Sequence, residues 1–366
     1  MYIENNPFTP SFGRIPPYMA GRKLLLADIT KAFKGNGNDP YLQTLIIGAR
    51  GTGKTALLTR ISEISSRNGW IAASVTCGNG MLEDIAQQAV SSSAHLIDIS
   101  NSAKLKGITL GQLFGVEWEP ANATQANWRM YMTCIIDKLA ETGIGLCILV
   151  DEVRAGIEEM EQLASVFQHF VREGKRVALI MAGLPHQASQ LVSSDAVSFL
   201  RRATLVSLGR IDDADITDAF QQTIESGGKS ISDNALKECV YAIGGFPYMM
   251  QLVGFRAWDT SKEKSQIDID DAKCGILLAQ SDLQRQVLIP TWASLSNGDR
   301  AFCYSMARGN NNAKAIAADM HKKPNYVSKY KQRLLEQGVI EQDVYTNLKF
   351  SLPGFKEFVE GSLVNA

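Results

Sequence analysis

One stretch constrains this chain more than any other: Leu45-Ile46-Ile47-Gly48-Ala49-Arg50-Gly51-Thr52-Gly53-Lys54-Thr55-Ala56-Leu57-Leu58. A short apolar run with a β-branched pair enters a glycine-rich loop, then Lys-Thr, then a segment with helical apolar spacing. The pattern is G-x-x-x-x-G-K-[ST] between a strand and a helix, the setting in which such a loop wraps phosphate. Gly48, Gly51 and Gly53 let the backbone curl with its N–H groups pointing inward. A helix beginning near Lys54 adds the positive end of its dipole. Lys54 then reaches the β- and γ-phosphates, and Thr55 offers its hydroxyl to a magnesium ion. Chance matches to four such positions in a chain this long occur on the order of once in a hundred.

With 366 residues the chain has room for two or three domains, each with its own core. A formal net charge of −1 argues for no global attraction to nucleic acid, so any such partner must answer to a local patch. Cys77, Cys134, Cys147, Cys239, Cys274 and Cys303 are far apart and form no C-x-x-C pair. That favours reduced thiols in a cytoplasmic protein over a disulfide framework or a zinc site. His95, His169, His186 and His321 are equally scattered. The start of the chain lacks the basic-then-apolar layout of a signal peptide, and no apolar run approaches about 18 residues, so no membrane is expected.

Residues 7–22 are proline-rich and cannot be helical throughout. They end where Leu24, Leu25, Leu26, Ile29 and Phe33 take up helical spacing. Such an arm must lie on something, either as a surface strap or as a wall of a base pocket. After the loop come a helix to about Arg67, a buried strand at Trp70–Thr76 and a helix over residues 80–98. Residues 101–125 show no clear period and read as a small β-excursion or surface insertion. A helix follows at Ala126–Leu139.

Gly145-Leu146-Cys147-Ile148-Leu149-Val150-Asp151-Glu152 is the second chemical signal. A continuous apolar run marks a strand buried on both faces of a parallel sheet. It ends in two carboxylates. Asp151 is placed to hold Mg²⁺, directly or through water. Glu152, one residue on, faces differently and is suited to orient and deprotonate a water attacking the γ-phosphate. A solvated acidic pair closing a strand is the alternative, and the upstream loop tips the balance towards chemistry. A helix at about Ile157–Glu173 and a buried strand over Arg176–Gly183 complete the alternation. The expected fold is therefore α/β, a mostly parallel sheet flanked by helices with the ligand at the strand ends. Arg201 and Arg202 then stand before a last short strand, either as solvated surface or as an arginine finger reaching a γ-phosphate in the same or a neighbouring subunit.

From about Arg210 only helices are expected: Asp212–Glu225, Ser232–Ile243, Phe246–Trp258 and roughly Ile269–Arg285. Further on, Asn297–Ala307, the short Asn312–Met320, Asn325–Gln337 and two strands at Val339–Glu341 and Lys349–Leu352 follow the winged-helix order. The domains are thus read as 1–209, 210–290 and 291–366. Between His321 and Leu335 every charged residue is basic: Lys322, Lys323, Lys329, Lys331 and Arg333. With Asn325, Tyr326 and Ser328 they suit a major groove and its flanking phosphates in duplex DNA. A winged helix used for protein contact is the alternative, since fold does not fix function.

In these motifs and their order the chain resembles the AAA+ ATPases of the Orc1/Cdc6-like group, related to the archaeal and STAND-type ATPases. The resemblance rests on Pro7-Phe8 through Ala20-Gly21-Arg22, on the Walker A residues 48–55, on the Walker B residues 146–152, on Gly244-Gly245-Phe246-Pro247-Tyr248 and on the winged helix. It implies ATP or ADP with Mg²⁺, bound by Gly48, Ala49, Arg50, Gly51, Thr52, Gly53, Lys54, Thr55 and Ala56, with Gly21, Arg22 and Pro247 around the nucleotide. It also implies Thr55 and Asp151 on the metal, Glu152 and Lys54 in catalysis, a helical lid over residues 210–290, and Arg201 or Arg202 acting across a homo-oligomeric or partner contact. Two departures stand out. A polar sensor residue at the end of the fourth strand is replaced by Met181-Ala182-Gly183, and the lid position where a sensor arginine often sits holds Pro247-Tyr248-Met249, with Arg256 further along. Hydrolysis that is slow or stimulated by a partner is therefore expected, in a nucleotide-dependent DNA-binding ATPase or in a STAND-like switch whose winged helix makes protein contacts. A metabolic phosphotransferase is disfavoured, because no acceptor-substrate site is visible in the further domains.

Overall fold

The computed structural model describes residues 6–11, 13–35, 37–93, 125–343 and 346–364. Residues 101–125, read above as an excursion or insertion, fall outside these but for Gln125. The chain forms two compact units, one of Leu24–Ile47 and Leu57–Ser207, the other of Met1–Lys23, Gly48–Ala56 and Leu208–Ala366.

The first unit is built on a sheet. Its elements run α1 (Lys23–Lys34), β1 (Gln43–Gly48), α2 (Lys54–Arg67), β2 (Trp70–Thr76), α3 (Met81–Ser93), α4 (Gln125–Glu141), β3 (Gly145–Asp151), α5 (Glu158–Arg172), β4 (Val177–Gly183), α6 (Pro185–Ser193) and β5 (Thr204–Leu208). The strand order is β2-β3-β4-β1-β5, and the pairings β2–β3, β3–β4 and β4–β1 are parallel. Every residue of β4, and every residue of β3 before Asp151, is buried, as strands covered by helices on both faces must be. The expected α/β sheet is what forms. At the start of β3 a side chain on Gly145 would lie 2.3 Å from the Trp70 ring, so only glycine admits the indole, whose Nε1 donates to Phe33 O at 2.9 Å. Because the strands are parallel, their carboxyl ends share one edge. In register, Thr76 stands opposite Asp151 and Ile47 opposite Gly183.

The second unit is mostly helical. It contains α7 (Asp213–Ser226), β6 (Ser230–Ile231), α8 (Asp233–Ile243), α9 (Pro247–Thr260), β7 (Gln266–Ile267) and α10 (Ile269–Leu283). A π-helical segment, Gln284–Leu288, joins α10 to α11 (Ile289–Ser294). Then follow α12 (Asn297–Ala307), α13 (Ala313–Asp319), α14 (Pro324–Glu336), the antiparallel strands β8 (Ile340–Gln342) and β9 (Leu348–Phe350), and α15 (Phe355–Val364). One apolar cluster runs from Phe8 through these helices to Val359. The proline-rich arm joins it as a strap: Phe8 is 1% exposed, with its ring 5.1 Å from that of Phe220. Burial of such a side chain contributes about 2–3 kcal/mol. Gly254 on α9 makes the seat, since a Cβ there would stand 2.2 Å from the Phe8 ring. Thr9 N–H donates to Gln251 Oε1 and Asn6 Nδ2 to Phe255 O, both at 2.9 Å.

Candidate functional site

The loop between β1 and α2 has the geometry its glycines allow. Gly51 and Gly53 have φ of +78° and +84°, in the left-handed region where a side chain is strained. At Gly48 a Cβ would stand 2.9 Å from Leu208 O and 2.6 Å from Thr52 Oγ1, so close approach demands glycine. Thr52 is buried and its hydroxyl donates to Ala49 O at 2.9 Å, fixing the curl. Lys54 opens α2, and its Nζ donates to Gly48 O and Ala49 O, both at 2.8 Å. Thr55 and Ala56 follow in the first helical turn, at the positive end of the helix dipole.

Further residues of the same unit border the loop. Cβ atoms built on Gly53 and Gly51 would lie 3.8 Å from Pro247 Cβ and 3.6 Å from Tyr248 Cβ, ordinary contact distances. Gly21, with φ of +64°, approaches Ile211 and Asp215. Next to it, Nη2 of Arg22 is buried without a hydrogen-bond partner. Burial pushes the Arg22 pKa down, and the nearby Asp215 carboxylate opposes that shift. A glycine-lined cradle and an orphaned guanidinium nitrogen both fit an anionic ligand.

In the sheet unit, β3 delivers the two carboxylates. Asp151 Oδ1 accepts from Glu152 N–H at 2.8 Å, and Asp151 O accepts from Cys77 N–H at 2.8 Å. Glu152 has φ of +55°, a strained conformation for a residue with a Cβ, costing roughly 1–3 kcal/mol. It turns the chain so that Val153 N–H reaches Ala182 O at 2.9 Å. The same turn leaves no room for a side chain at the end of β4: a Cβ on Gly183 would stand 2.9 Å from Val153 O and Cγ2. Glu159 was not singled out from sequence. Its carboxylate accepts from Gly80 N–H at 2.6 Å and Leu82 N–H at 2.9 Å, pinning the loop after β2 to the first turn of α5. Arg201 and Arg202 close a 3₁₀ segment, both exposed, and Arg201 Nε donates to Val192 O at 3.1 Å.

The basic residues around α14 fall into two groups. Lys322, Lys323, Asn325, Tyr326, Ser328 and Lys329 are exposed, and Lys331 is half-buried. Lys322 also borders a surface cavity of about 480 Å³ with Tyr304, Arg308, Asp319 and Tyr330. Arg333 stands apart. Its Nε and Nη2 both donate to Asp299 Oδ1, at 2.9 and 2.6 Å, and Nη2 also donates to Ser296 Oγ at 2.7 Å. Asp299 is 1% exposed, so this guanidinium neutralises a buried carboxylate. Arg256 on α9 is held the same way, with Nε donating to the buried Asp282 at 2.6 Å while Arg285 takes the other oxygen at 2.8 Å. The two arginines hold the Asp282 carboxyl below the usual carboxylate range.

All six cysteines are free thiols, and no helix among the described residues is long and apolar enough to cross a membrane. Burial pushes the Cys147, Cys239 and Cys303 thiols up to about 12.

Residues 285–359 match the model of a domain of unknown function, DUF8462. No curated protein matches the chain. Among solved structures, the Walker-type ATPase PABY2304 of Pyrococcus abyssi is similar with a TM-score of 0.65 at 13% identity, over 93% of this chain and 96% of that one. The ORC2 protein of Aeropyrum pernix, solved as ADPNP–ADP complexes, is similar with a TM-score of 0.61 at 14% identity, over 98% of each chain. Cdc6p of Pyrobaculum aerophilum gives 0.50 at 12% identity, over 97% and 96%. The resemblance to the Orc1/Cdc6-like group therefore holds at the level of the fold.

Proposed function

We propose that this protein is an ATP-binding, slowly hydrolysing ATPase that binds duplex DNA through its C-terminal module in a nucleotide-dependent way. The observation that carries the reading is the loop itself: two left-handed glycines, a third forced by close approach, and Lys54 at a helix start. Magnesium ATP, when bound, supplies the triphosphate whose terminal phosphoryl group passes to water. Lys54 and the N–H groups of the loop bind the phosphates, while Thr55 and Asp151 keep the metal-ligand roles that their motifs give them. Gly21, Arg22 and Pro247 border the ligand, with the orphaned Arg22 nitrogen seeking an acceptor. Glu152 orients the attacking water and takes its proton. Arg201 or Arg202 is exposed as a finger must be, for a second copy or a partner protein.

Slow turnover follows from two residues. Gly183 cannot carry a sensor group without striking Val153, and Arg256 is already committed to Asp282. The helices α12–α14 with β8 and β9 follow the order of a winged helix, and the exposed Lys322, Lys323 and Lys329 support duplex phosphate as the partner. One observation favours the STAND-like alternative: Arg333 is taken up by Asp299, leaving α14 less cationic than its sequence reads.

Duplex binding measured with ATP, with ADP and without nucleotide, each at two salt concentrations, separates the readings. Binding that depends on ATP, weakens steeply with salt and loses its ATP dependence in Lys54→Ala is expected. Equal binding by Lys54→Ala and the wild type in ATP, or none by either, overturns the DNA reading and leaves the protein-contact switch. Glu152→Gln should keep ATP binding and lose turnover.

A further inference from the structure

Helix α14 shows solvent one line of side chains. Its apolar face buries Val327, Leu334 and Leu335, and the exposed Asn325, Lys329, Gln332 and Glu336 follow one another along the opposite side at helical spacing. The two halves of that line differ. Gln332 Nε2 donates to Glu336 Oε1 at 2.9 Å, so the far half is a closed pair that ends in an acid. Arg333 beside it is held by Asp299. In the near half, the side chains of Asn325 and Lys329 have no hydrogen-bond partner among the described residues, and Tyr326 on their flank is 56% exposed.

The β8–β9 hairpin is built against phosphate contact. Its charged residues are Glu341, Asp343 and Lys349. Lys349 faces Glu341 across the hairpin, with Nζ 3.1 Å from Oε1. Asp343 holds the turn, accepting from Asn347 N–H at 2.8 Å and from Asn347 Nδ2 at 3.0 Å. The one lysine is therefore neutralised by its neighbour while Asp343 stays exposed, so the hairpin meets a phosphate backbone with an excess of negative charge.

Resting on the duplex-binding reading above, we infer that α14 enters the major groove by its first turn, that Asn325 reads an adenine there, and that the β8–β9 hairpin takes no part. The carboxamide of asparagine matches the major-groove edge of adenine, its oxygen accepting from N6–H while its nitrogen donates to N7. Guanine offers two acceptors on that edge, and thymine one acceptor beside a methyl group, so each leaves half of the amide unmatched. Lys329, one turn further out with a point charge on a long stem, meets the backbone at the lip of the groove, as do Lys322 and Lys323 ahead of the helix. Glu336 sets the angle of approach. It stands about 16 Å beyond Asn325 along the helix axis, and the groove is only about 8.5 Å deep. A helix pointing into the groove keeps that acid clear of the phosphates, whereas one lying along it would press the acid against them.

The test takes the full chain with ATP. Bound duplexes are selected from a randomised pool, and each adenine of a selected duplex is then replaced by 7-deazaadenine, which still pairs with thymine but lacks N7. At one adenine the replacement should weaken wild-type binding about tenfold. Asn325→Ala should bind the unmodified duplex about tenfold more weakly, ignore that replacement and keep the wild-type melting temperature. Lys349→Ala should leave the slope of log K against log salt where it is, unlike Lys329→Ala. The inference is overturned if the wild type binds duplexes of every sequence alike, or if Asn325→Ala still responds to the modified adenine. It is also overturned if Lys349→Ala lowers the salt slope as much as Lys329→Ala, which would put the hairpin on the phosphates. A wild type that binds no duplex at all fails at the first step, and there it is the duplex-binding reading that falls and takes this inference with it.

Discussion

The loop at Gly48–Ala56 and the helix α14 are the two stretches on which the proposed function rests, and they are built in different ways. In the loop the proposal assigns the binding groups to the main chain, and the side chains are fixed by backbone conformation. Gly51 and Gly53 take left-handed angles, and Lys54 starts a helix. In α14 the backbone is an ordinary helix and everything depends on which side chains remain free. Lys329 is exposed, as are Lys322 and Lys323 just ahead of the helix, whereas Arg333, only four residues beyond Lys329, is consumed by Asp299. The difference teaches where a spacing pattern can be trusted. Spacing encodes backbone geometry directly, because glycine and a helix start impose it. It encodes free charge only indirectly, because a partner can come from a distant segment.

The largest test strikes the pairing that separates the two regions. Asp299 is buried, caps the start of α12 together with Ser296, and neutralises Arg333. Asp299→Ala removes the α12 cap and leaves a guanidinium that water still reaches, its side chain being 43% exposed, so it should cost about 2 kcal/mol. For a chain of this size that lowers the melting temperature by roughly 2–3 °C, read by calorimetry or circular dichroism. A loss below about 1 kcal/mol would return Arg333 to the pool of cations available to a ligand, and the contrast drawn here would weaken.

That pairing also marks the limit of what could be read in advance. The continuous apolar runs of β3 and β4 announced strands buried on both faces, and they form as expected over Gly145–Asp151 and Val177–Gly183. The loop was legible for the same local reason. The strand order β2-β3-β4-β1-β5 was not, since it is decided by crossovers that no short segment contains. Arg256, noted only as lying further along its helix, is bound to Asp282, 26 positions away in the chain. The helix expected to end near Arg285 instead continues through a π-helical turn into α11, across Pro290, for which no residue pattern gives a signal. Glu152 follows directly on β3, while its left-handed backbone, which goes with the Val153–Ala182 hydrogen bond, had no sequence signature.

The next test is aimed at the loop. A Cβ on Gly53 meets only Pro247 at 3.8 Å, so space is available and the cost of Gly53→Ala comes from φ of +84° alone. Forcing alanine there costs roughly 1–2 kcal/mol, or the loop relaxes and its N–H groups turn away. Relaxation is expected, and with it ATP affinity should fall about tenfold, measured by titration with a fluorescent ATP analogue, while the melting temperature drops by no more than about 2 °C. Unchanged affinity would mean that the main chain does not carry the binding, and the distinction between the two regions would fail on the loop side.

The smallest effect belongs to a single exposed lysine. Lys329 sits on the solvent side of α14, and a lysine that neutralises one phosphate releases about one counterion. Lys329→Ala should therefore weaken duplex binding only a few-fold near physiological salt, and it should lower the slope of log K against log salt by about 0.9. Its melting temperature should stay at the wild-type value, since surface substitutions of this kind shift stability by under about 0.5 kcal/mol. Arg333→Ala is the matched control, only four residues away on the same helix. It should do the opposite, lowering stability through the loss of Asp299's partner while leaving the salt slope where it was. If both variants reduce the slope equally, Arg333 exchanges Asp299 for phosphate on binding, and the buried carboxylate becomes part of the switch rather than part of the scaffold.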